Sequence, residues 1–244
     1  MRIVLFLFAF SLLGAELDPK TGRAFDEYVA VAAREMASAP LRMQPKAGAP
    51  ARVFTWGAEA AIEAGDGLIH DWGGVIFVEG VTAEDAVKLL SDFNRHSAIY
   101  APEVAASRFL GKQGEVSRST LRLVKKKVIT VVLDTEYETK YTQVAPARWL
   151  GVVRSTRIQE VDDPGEPGEK LKPAGQGHGF LWRLNSWWVI EEREKGVVLQ
   201  LRSASLSRDI PLGLAWAIKP MVTALPRESV ASTLDKTAAA LRTR

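Results

Sequence analysis

A chain of 244 residues, 47% of them hydrophobic, is long enough to bury a full core. Its 32 Lys and Arg nearly balance its 29 Asp and Glu, and the basic residues are scattered among acidic ones. This pattern argues against a nucleic-acid partner, which would need a basic face. The sequence contains no cysteine, so disulfides, thiol catalysis and thiolate metal sites are excluded.

The N-terminal residues 1–15 have the pattern of a signal peptide. Arg2 supplies a basic start, residues 3–13 form an apolar core, and Gly14-Ala15 are small residues at the cleavage position. The apolar run is shorter than the roughly 20 residues that a membrane-spanning helix needs. We therefore expect cleavage and export to the periplasm or the medium. Because Leu13 fits the cleavage pattern poorly, a membrane anchor formed by residues 3–13 is the alternative.

Residues 16–50 are expected to form a helical extension and a linker. A stripe of apolar residues between positions 21 and 38, including Phe25 and Met36, predicts one amphipathic helix. Three prolines and a glycine between positions 40 and 50 then predict a linker. The main domain is expected over residues 60–244, and the role of the preceding helix, at the mouth of a cavity or towards a membrane, stays open.

The main domain begins with a predicted strand and helix. Residues 67–80 read as a long strand in which Gly73-Gly74 marks a bulge or a close-packing point. Thr82 is expected to cap the next helix, with Asp85 at the third position of a capping box. Residues 104–110 and 116–124 are short strand candidates, and the lysines at 125–127 are expected in a solvated turn.

Three further strands are predicted to carry aromatic side chains on one face. Residues 128–144 alternate clearly, with Tyr137 and Tyr141 on the apolar side, and residues 149–161 form the next strand. After a polar loop, Phe180, Trp182, Leu184, Trp188 and Ile190 share one parity. Trp187 has the opposite parity, so we expect it to be exposed, which would favour transient contact with a membrane or a partner.

The chain ends in a predicted long amphipathic helix. We expect Pro226 to open it, because proline is tolerated in a first helical turn. Its apolar face contains Val230, Leu234, Ala238 and Leu241. The order of elements is an α+β plan, a curved antiparallel sheet wrapped on this helix. A gap between the two would be a cavity lined by inward side chains.

The order of three segments near the C-terminus resembles that of the START-like superfamily. These segments are residues 179–188 (GFLWRLNSWW), residues 205–211 (SLSRDIP) and Pro220 to Ser229. This group includes steroidogenic-acute-regulatory-related lipid-transfer domains, Bet v 1-like proteins and polyketide cyclases. The resemblance covers about residues 65–243. It implies a helix-grip fold of about seven antiparallel strands with a cavity for a lipid, sterol, polyketide or other hydrophobic compound. It transfers no site residue.

No catalytic signature is evident. A Gly-x-Ser-x-Gly elbow is lacking, and Gly175 to Gly179 precede a strand rather than open a helix, so no phosphate loop is expected. His70 and Asp71 should point to opposite sides of a strand, which disfavours a metal site. His96 is expected near the C-terminal end of a helix, where it would complement the dipole. We expect no catalytic residue, no metal and no cofactor.

The sequence therefore predicts a non-catalytic protein that binds or transports a hydrophobic small molecule or lipid. The expected ligand-binding residues are Tyr137, Tyr141, Phe180, Trp182, Trp188, Val230 and Leu234. The alternative is a polyketide cyclase-like enzyme in the same cavity, with His96 or an inward tyrosine moving a proton. Arg154 and Arg157 cannot both face inward, and a buried arginine would demand an anionic partner.

Overall fold

The structure is a computed structural model that describes residues 14–126, 130–209 and 215–243, with the backbone alone for 215–223. Its helices are α1 (Pro19–Ser38), α2 (Ala83–Leu90), the short α3 (His96–Ile99) and α4 (Ala215–Arg242). The predicted capping box is confirmed, since Thr82 accepts from the Asp85 amide and the Asp85 carboxylate accepts from the Thr82 amide. None of the helices in these ranges combines the length and the hydropathy that a membrane span requires.

The described strands are, in chain order, β1 (Ala15–Glu16), β2 (Arg52–Thr55), β3 (Ile62–Ala64), β4 (Gly67–Glu79), β5 (Val104–Gln113), β6 (Val116–Lys126), β7 (Thr130–Ala145), β8 (Arg148–Asp162), β9 (Lys170–Leu171), β10 (Gln176–Gly177), β11 (Arg183–Arg193) and β12 (Gly196–Arg208). Seven long strands pair antiparallel in the order β4-β12-β11-β8-β7-β6-β5. Short β2, β3 and β9 add to this sheet, and β1 pairs with β10. The α+β helix-grip prediction is confirmed.

Two expectations fall partly outside the described residues. The leader core, residues 3–13, is one of them, and the turn at the lysines is the other, because residues 127–129 lie outside the description. Lys125 and Lys126 belong to the end of β6, where they pair with Val131 and Thr130. These two lysines are therefore strand residues, not turn residues as expected.

The terminal helix α4 packs on β4 at Gly74, whereas its neighbour Gly73 faces Phe54 and Trp56 on the other side of the sheet. A Cβ built on Gly74 would lie 2.6 Å from Leu234 Cδ1 and 2.9 Å from Val230 Cγ1, so only glycine permits this approach. The register of β4 with β12 is continuous, which makes the pair a close-packing point and not a bulge. The prediction that the helix opens at Pro226 is wrong. The helix already runs from Ala215, and Pro226 lies within it.

The opposite side of the sheet, which we call the outer face, is covered by α1. Phe25, Ala32 and Met36 are buried there against Trp187, Val189 and Leu206. Trp187 does point away from α4, as its parity predicts, but it is only 1% exposed. The expectation of an exposed Trp187 is therefore wrong, because the N-terminal helix and not solvent meets this face. The exposure of Trp187 therefore gives no support for contact with a membrane.

A buried ion pair holds α1 to the outer face. Arg202 donates to both oxygens of Asp71, at 2.6–3.1 Å, and to Glu35 Oε2 on α1 at 2.7 Å. The hydroxyl of Tyr28, also on α1, donates to Asp71 Oδ2 at 2.7 Å. Asp71 and Arg202 are almost completely buried, so each is the partner that makes burial of the other tolerable. The buried arginine is thus Arg202, whereas Arg154 and Arg157 are exposed.

Candidate functional site

A cavity of about 400 Å³ lies between α4 and the side of the sheet that faces it, the cavity face. Such a volume is within the range of small-molecule sites, roughly 300–1,000 Å³. Strands β6, β7, β11 and β12 supply most of the sheet residues in the wall, and residues 225–233 of α4 line the opposite side. The wall is mainly apolar, with Leu90, Leu121, Leu133, Val153, Leu184 and Leu201 among its members.

Five of the seven predicted ligand-binding residues line this cavity. They are Tyr137, Tyr141, Phe180, Trp188 and Val230. Strand pairing brings the two tyrosines onto the cavity face, since Tyr141 lies opposite Gly151 and Gly151 in turn opposite Trp188. A Cβ on Gly151 would lie 2.4 Å from the Tyr141 ring, so this glycine makes room for the ring. The structure places these residues together; their contact with a ligand stays a prediction.

The other two predicted residues are not part of the wall. Leu234 is completely buried in the core between α4 and β4, so it supports the helix rather than the cavity. Trp182 is 7% exposed and packs with Phe25 and Trp187 under α1. Residues 180–182 precede β11 and are irregular, so the strict alternation of a strand does not extend to Trp182.

Two polar residues of the cavity wall, Tyr100 and His96, form hydrogen bonds with other residues of the protein. The hydroxyl of Tyr100 bonds to Thr237 Oγ1 of α4 at 3.0 Å, and His96 Nε2 donates to the Leu90 carbonyl at 3.1 Å, at the end of α2. Burial raises the pKa of Tyr100 and that of Tyr137 to about 12. Burial also lowers the pKa of His96, which favours the neutral ring. His96 and Tyr100 therefore act first as structural hydrogen-bonding groups.

A row of hydroxyl groups crosses the apolar wall. Ser203, Ser205 and Ser207 alternate on β12 and all line the cavity, together with Ser119 and Thr139 on β6 and β7. Ser207 is 3.1 Å from His70 Nε2, and Ser186 donates to Ser203 at 3.3 Å. Within the described residues, the hydroxyls of Ser119, Thr139 and Ser205 have no hydrogen-bond partner, although each residue is more than 90% buried. The wall suits a largely apolar ligand that carries a few oxygen atoms.

Another polar feature of the wall, besides the charged residues Glu103, Lys125, Arg208 and Asp209, is a histidine–glutamate pair. His178 lines the cavity, and its Nδ1 lies 2.9 Å from Oε2 of the buried Glu160. The Glu160 carboxylate also accepts hydrogen bonds from the amides of His178, Gly179 and Phe180, at 2.7, 2.9 and 3.2 Å. Because a carboxylate only accepts, Nδ1 carries the hydrogen and Nε2 is left for a ligand.

The sequence analysis missed this pair for a reason that is visible in the sheet. Tyr137 pairs with Ser155, but the preceding residue of β7, Glu136, pairs with Arg157, so Thr156 is an unpaired bulge residue. The bulge reverses the alternation and brings Glu160 onto the cavity face, opposite Leu133. The available signal was Gly177-His178-Gly179, a histidine between two glycines.

The two glycines allow the chain to wrap around the carboxylate. Gly177 and Gly179 have φ of 133° and 76°, values that L-residues rarely adopt. A Cβ on Gly177 would lie 2.5 Å from Glu160 Oε2. The backbone amides can therefore approach the carboxylate as closely as they do only with glycine at this position.

Comparison with solved structures addresses the fold. Zhui aromatase/cyclase from Streptomyces sp. R1128 matches 72% of this chain and 95% of its own, with 9% identity and a TM-score of 0.51. A protein from Thermus thermophilus matches 70% of this chain and 96% of its own, with 14% identity and a TM-score of 0.50. This chain therefore has the START-like, helix-grip fold.

A STAR-related lipid transfer protein from Xanthomonas axonopodis is also similar, over 75% of this chain and 99% of its own, with 21% identity and a TM-score of 0.48. No protein-family model and no curated protein matches the sequence. At these identities the START-like fold is what the likeness establishes, and the residues of the cavity must carry any conclusion about function.

Proposed function

We propose that this START-like protein binds a lipid or another hydrophobic small molecule in the cavity and acts as its carrier. The single observation that carries the proposal is the cavity of about 400 Å³ enclosed by α4 and an apolar, aromatic wall. The apolar side chains of this wall stay in contact with water until a ligand covers them, and covering them is favourable by roughly 25 cal/mol per Å² of apolar surface. The names of the similar proteins, a lipid transfer protein and an aromatase/cyclase, fit a hydrophobic ligand.

The hydroxyl row refines the proposed ligand. A wholly apolar ligand that displaces water from the cavity would leave hydroxyls of the wall without a hydrogen-bond partner, at a cost of about 1–3 kcal/mol each, whereas a ligand oxygen would replace the water. Ser119, Thr139 and Ser205 are in this position within the described part of the chain. The proposed ligand therefore carries oxygen atoms along one side.

Binding can be tested with a variant that fills the cavity. Nile red should bind the wild-type protein with a blue-shifted, enhanced emission, and Ser205→Phe should lower its affinity at least about tenfold because the ring occupies the space of the ligand. Ser38→Phe, at the exposed end of α1, is the matched control and should bind as the wild type does. Equal affinity of all three proteins would contradict binding in this cavity.

To identify the natural ligand, the protein should be purified from the envelope fraction of the cells that produce it. Native mass spectrometry followed by organic extraction should find a reproducible hydrophobic compound at about one copy per chain. That compound should be absent from the Ser205→Phe variant prepared in parallel.

We also propose that the protein works outside the cytoplasm. The support is the sequence of residues 1–15, with its basic start, apolar core and small residues. Sequencing the N-terminus of protein from the envelope should find a chain that begins near Glu16. A chain that keeps residues 3–13 and sediments with membranes would favour the anchor.

The alternative to a carrier is an enzyme that acts on a hydrophobic substrate in the same cavity. The observation that favours it is the pairing of His178 with the buried Glu160 in the cavity wall. The two groups expected to move a proton, His96 and an inward tyrosine, have less support. His96 is engaged by the Leu90 carbonyl, and burial raises the pKa of the inward tyrosines Tyr137 and Tyr141, which disfavours loss of their protons.

A further inference from the structure

We propose that His178 and Glu160 form a proton-transfer site for a hydrophobic ketone bound in the cavity. The inference rests on the proposed function, because the substrate must first bind there. His178 would be the catalytic base, and Glu160 would be the residue that positions it. The substrate class is a largely apolar carbonyl compound with an acidic C–H bond next to the carbonyl group.

The geometry is that of a base held by an orienting group. Glu160 is 6% exposed and fixes the His178 ring through Nδ1 at 2.9 Å. The Phe180 ring lies beside it, with centroids 5.3 Å apart, and limits rotation of the imidazole. Within the described residues Nε2 has no hydrogen-bond partner. The contact of Nδ1 with Glu160 thus orients the ring and leaves Nε2 as its second nitrogen for a substrate.

A purely structural role explains less of this arrangement. Three backbone amides already satisfy the Glu160 carboxylate, so the imidazole is not needed to make its burial tolerable. Two glycines with positive φ are needed to build the turn, and backbone conformations of this kind concentrate at functional sites. The turn costs conformational freedom, and it places a histidine in the wall of the cavity.

The proposed step balances without a co-reactant. Nε2 takes the proton from the carbon next to the carbonyl group, and the electron pair of that C–H bond forms an enolate. The hydroxyl of Ser205 lines the same cavity and is available to the enolate oxygen. The imidazolium, stabilised by Glu160, then returns the proton to the same carbon or to a conjugated one. The net result is hydrogen exchange or migration of a double bond, with no oxidation.

The test is deuterium exchange into β-tetralone, a rigid hydrophobic ketone, followed by proton NMR in D₂O with the full chain. The wild-type protein should accelerate exchange about 100-fold or more over buffer, the range of general base catalysis. His178→Gln should lose at least about tenfold of this acceleration. Glu160→Gln should lower the rate at saturating ketone while leaving the affinity for ketone unchanged, as expected of a positioning residue. Glu166→Gln, in the exposed neighbouring loop, is the matched control and should keep the full rate.

Displacement of Nile red by the same ketone separates the two proposals. Displacement without accelerated exchange, or equal exchange by wild type and His178→Gln, would overturn the proton-transfer site and leave the carrier intact. A ketone and a dye that both fail to bind would overturn the proposed function as well. His178→Gln must displace the dye as the wild type does, which shows that its cavity is still formed.

Discussion

Trp187 and Trp188 are neighbours in the chain, are both buried, and face opposite sides of the same sheet. Trp188 lines the cavity, whereas Trp187 packs under α1 in the second core. Two large side chains from one strand therefore serve two different purposes. The sheet is a shared wall between a ligand cavity and a helix that covers its outer face.

The two tryptophans should separate binding from stability. We expect Trp188→Ala to weaken Nile red binding by about 1–3 kcal/mol, roughly 5- to 150-fold, because the ring supplies apolar area to the wall. Trp187→Ala should leave the affinity of the folded protein unchanged and lower the free energy of unfolding by about 3–5 kcal/mol. Fluorescence titration and urea unfolding measure the two effects. Equal losses of affinity would mean that the two faces are not separate.

The ion pair under α1 predicts that replacing Asp71 lowers the free energy of unfolding far more than replacing Glu35 does. Asp71→Ala leaves Arg202 buried and without its main partner, so the free energy of unfolding should fall by about 3–5 kcal/mol. Glu35 bonds to the same arginine, but its side chain is 53% exposed, and Glu35→Ala should cost less than about 1 kcal/mol. Urea denaturation of both variants is the measurement. Similar losses would show that Asp71 is not the principal partner.

The tyrosines predict how stability changes at alkaline pH. The chain has four of them. Burial is the main cause that raises the pKa of Tyr28, Tyr100 and Tyr137 to about 12, and Asp71 adds to the effect at Tyr28. Burial raises the pKa of Tyr141 even further.

Between the unfolded value near 10 and the folded value, the unfolded state has released protons that the folded state keeps. The stabilisation from these groups is thus fully present below about pH 10, and it is lost as the pH rises towards about 12. In a pH titration, the absorbance of tyrosinate should rise in the folded protein about two pH units higher than in the urea-unfolded protein. Coincident titration curves would contradict burial of the tyrosines.

Because α4 packs closely on β4, the loss of stability on replacing a glycine with alanine should depend on where that glycine lies. Gly74→Ala should lower the free energy of unfolding by about 1–3 kcal/mol, because the new methyl group meets Leu234 and Val230. Gly57 has nothing within 4 Å of the equivalent position, so Gly57→Ala is the control and should change stability by less than about 0.5 kcal/mol. Thermal unfolding distinguishes them. A neutral Gly74→Ala would mean that α4 can move away from the sheet.

Much of the cavity was predictable because strand alternation and helical periodicity are local. Tyr137 and Tyr141 were found from a clean alternation of apolar and polar residues, and Trp188 from the same rule on β11. The rule failed at Trp182, which precedes the regular strand, and at Glu160, which follows a bulge. Three irregular residues, 180–182, changed the face of Trp182, and one bulge residue, Thr156, changed that of Glu160; sequence periodicity reveals neither.

The sequence by itself determined the order of strands and helices, the amphipathic α4 and the presence of an apolar wall, since each depends on residues close in the chain. Only the tertiary structure decided what covers the outer face, because α1 and Trp187 meet across more than 150 positions of sequence. The tertiary structure also decided the pairing of Asp71 with Arg202, 131 positions apart, and that of Glu160 with His178, 18 positions apart. Contacts between distant segments depend on how the sheet is twisted, bulged and paired, and these features arise only when the whole chain packs.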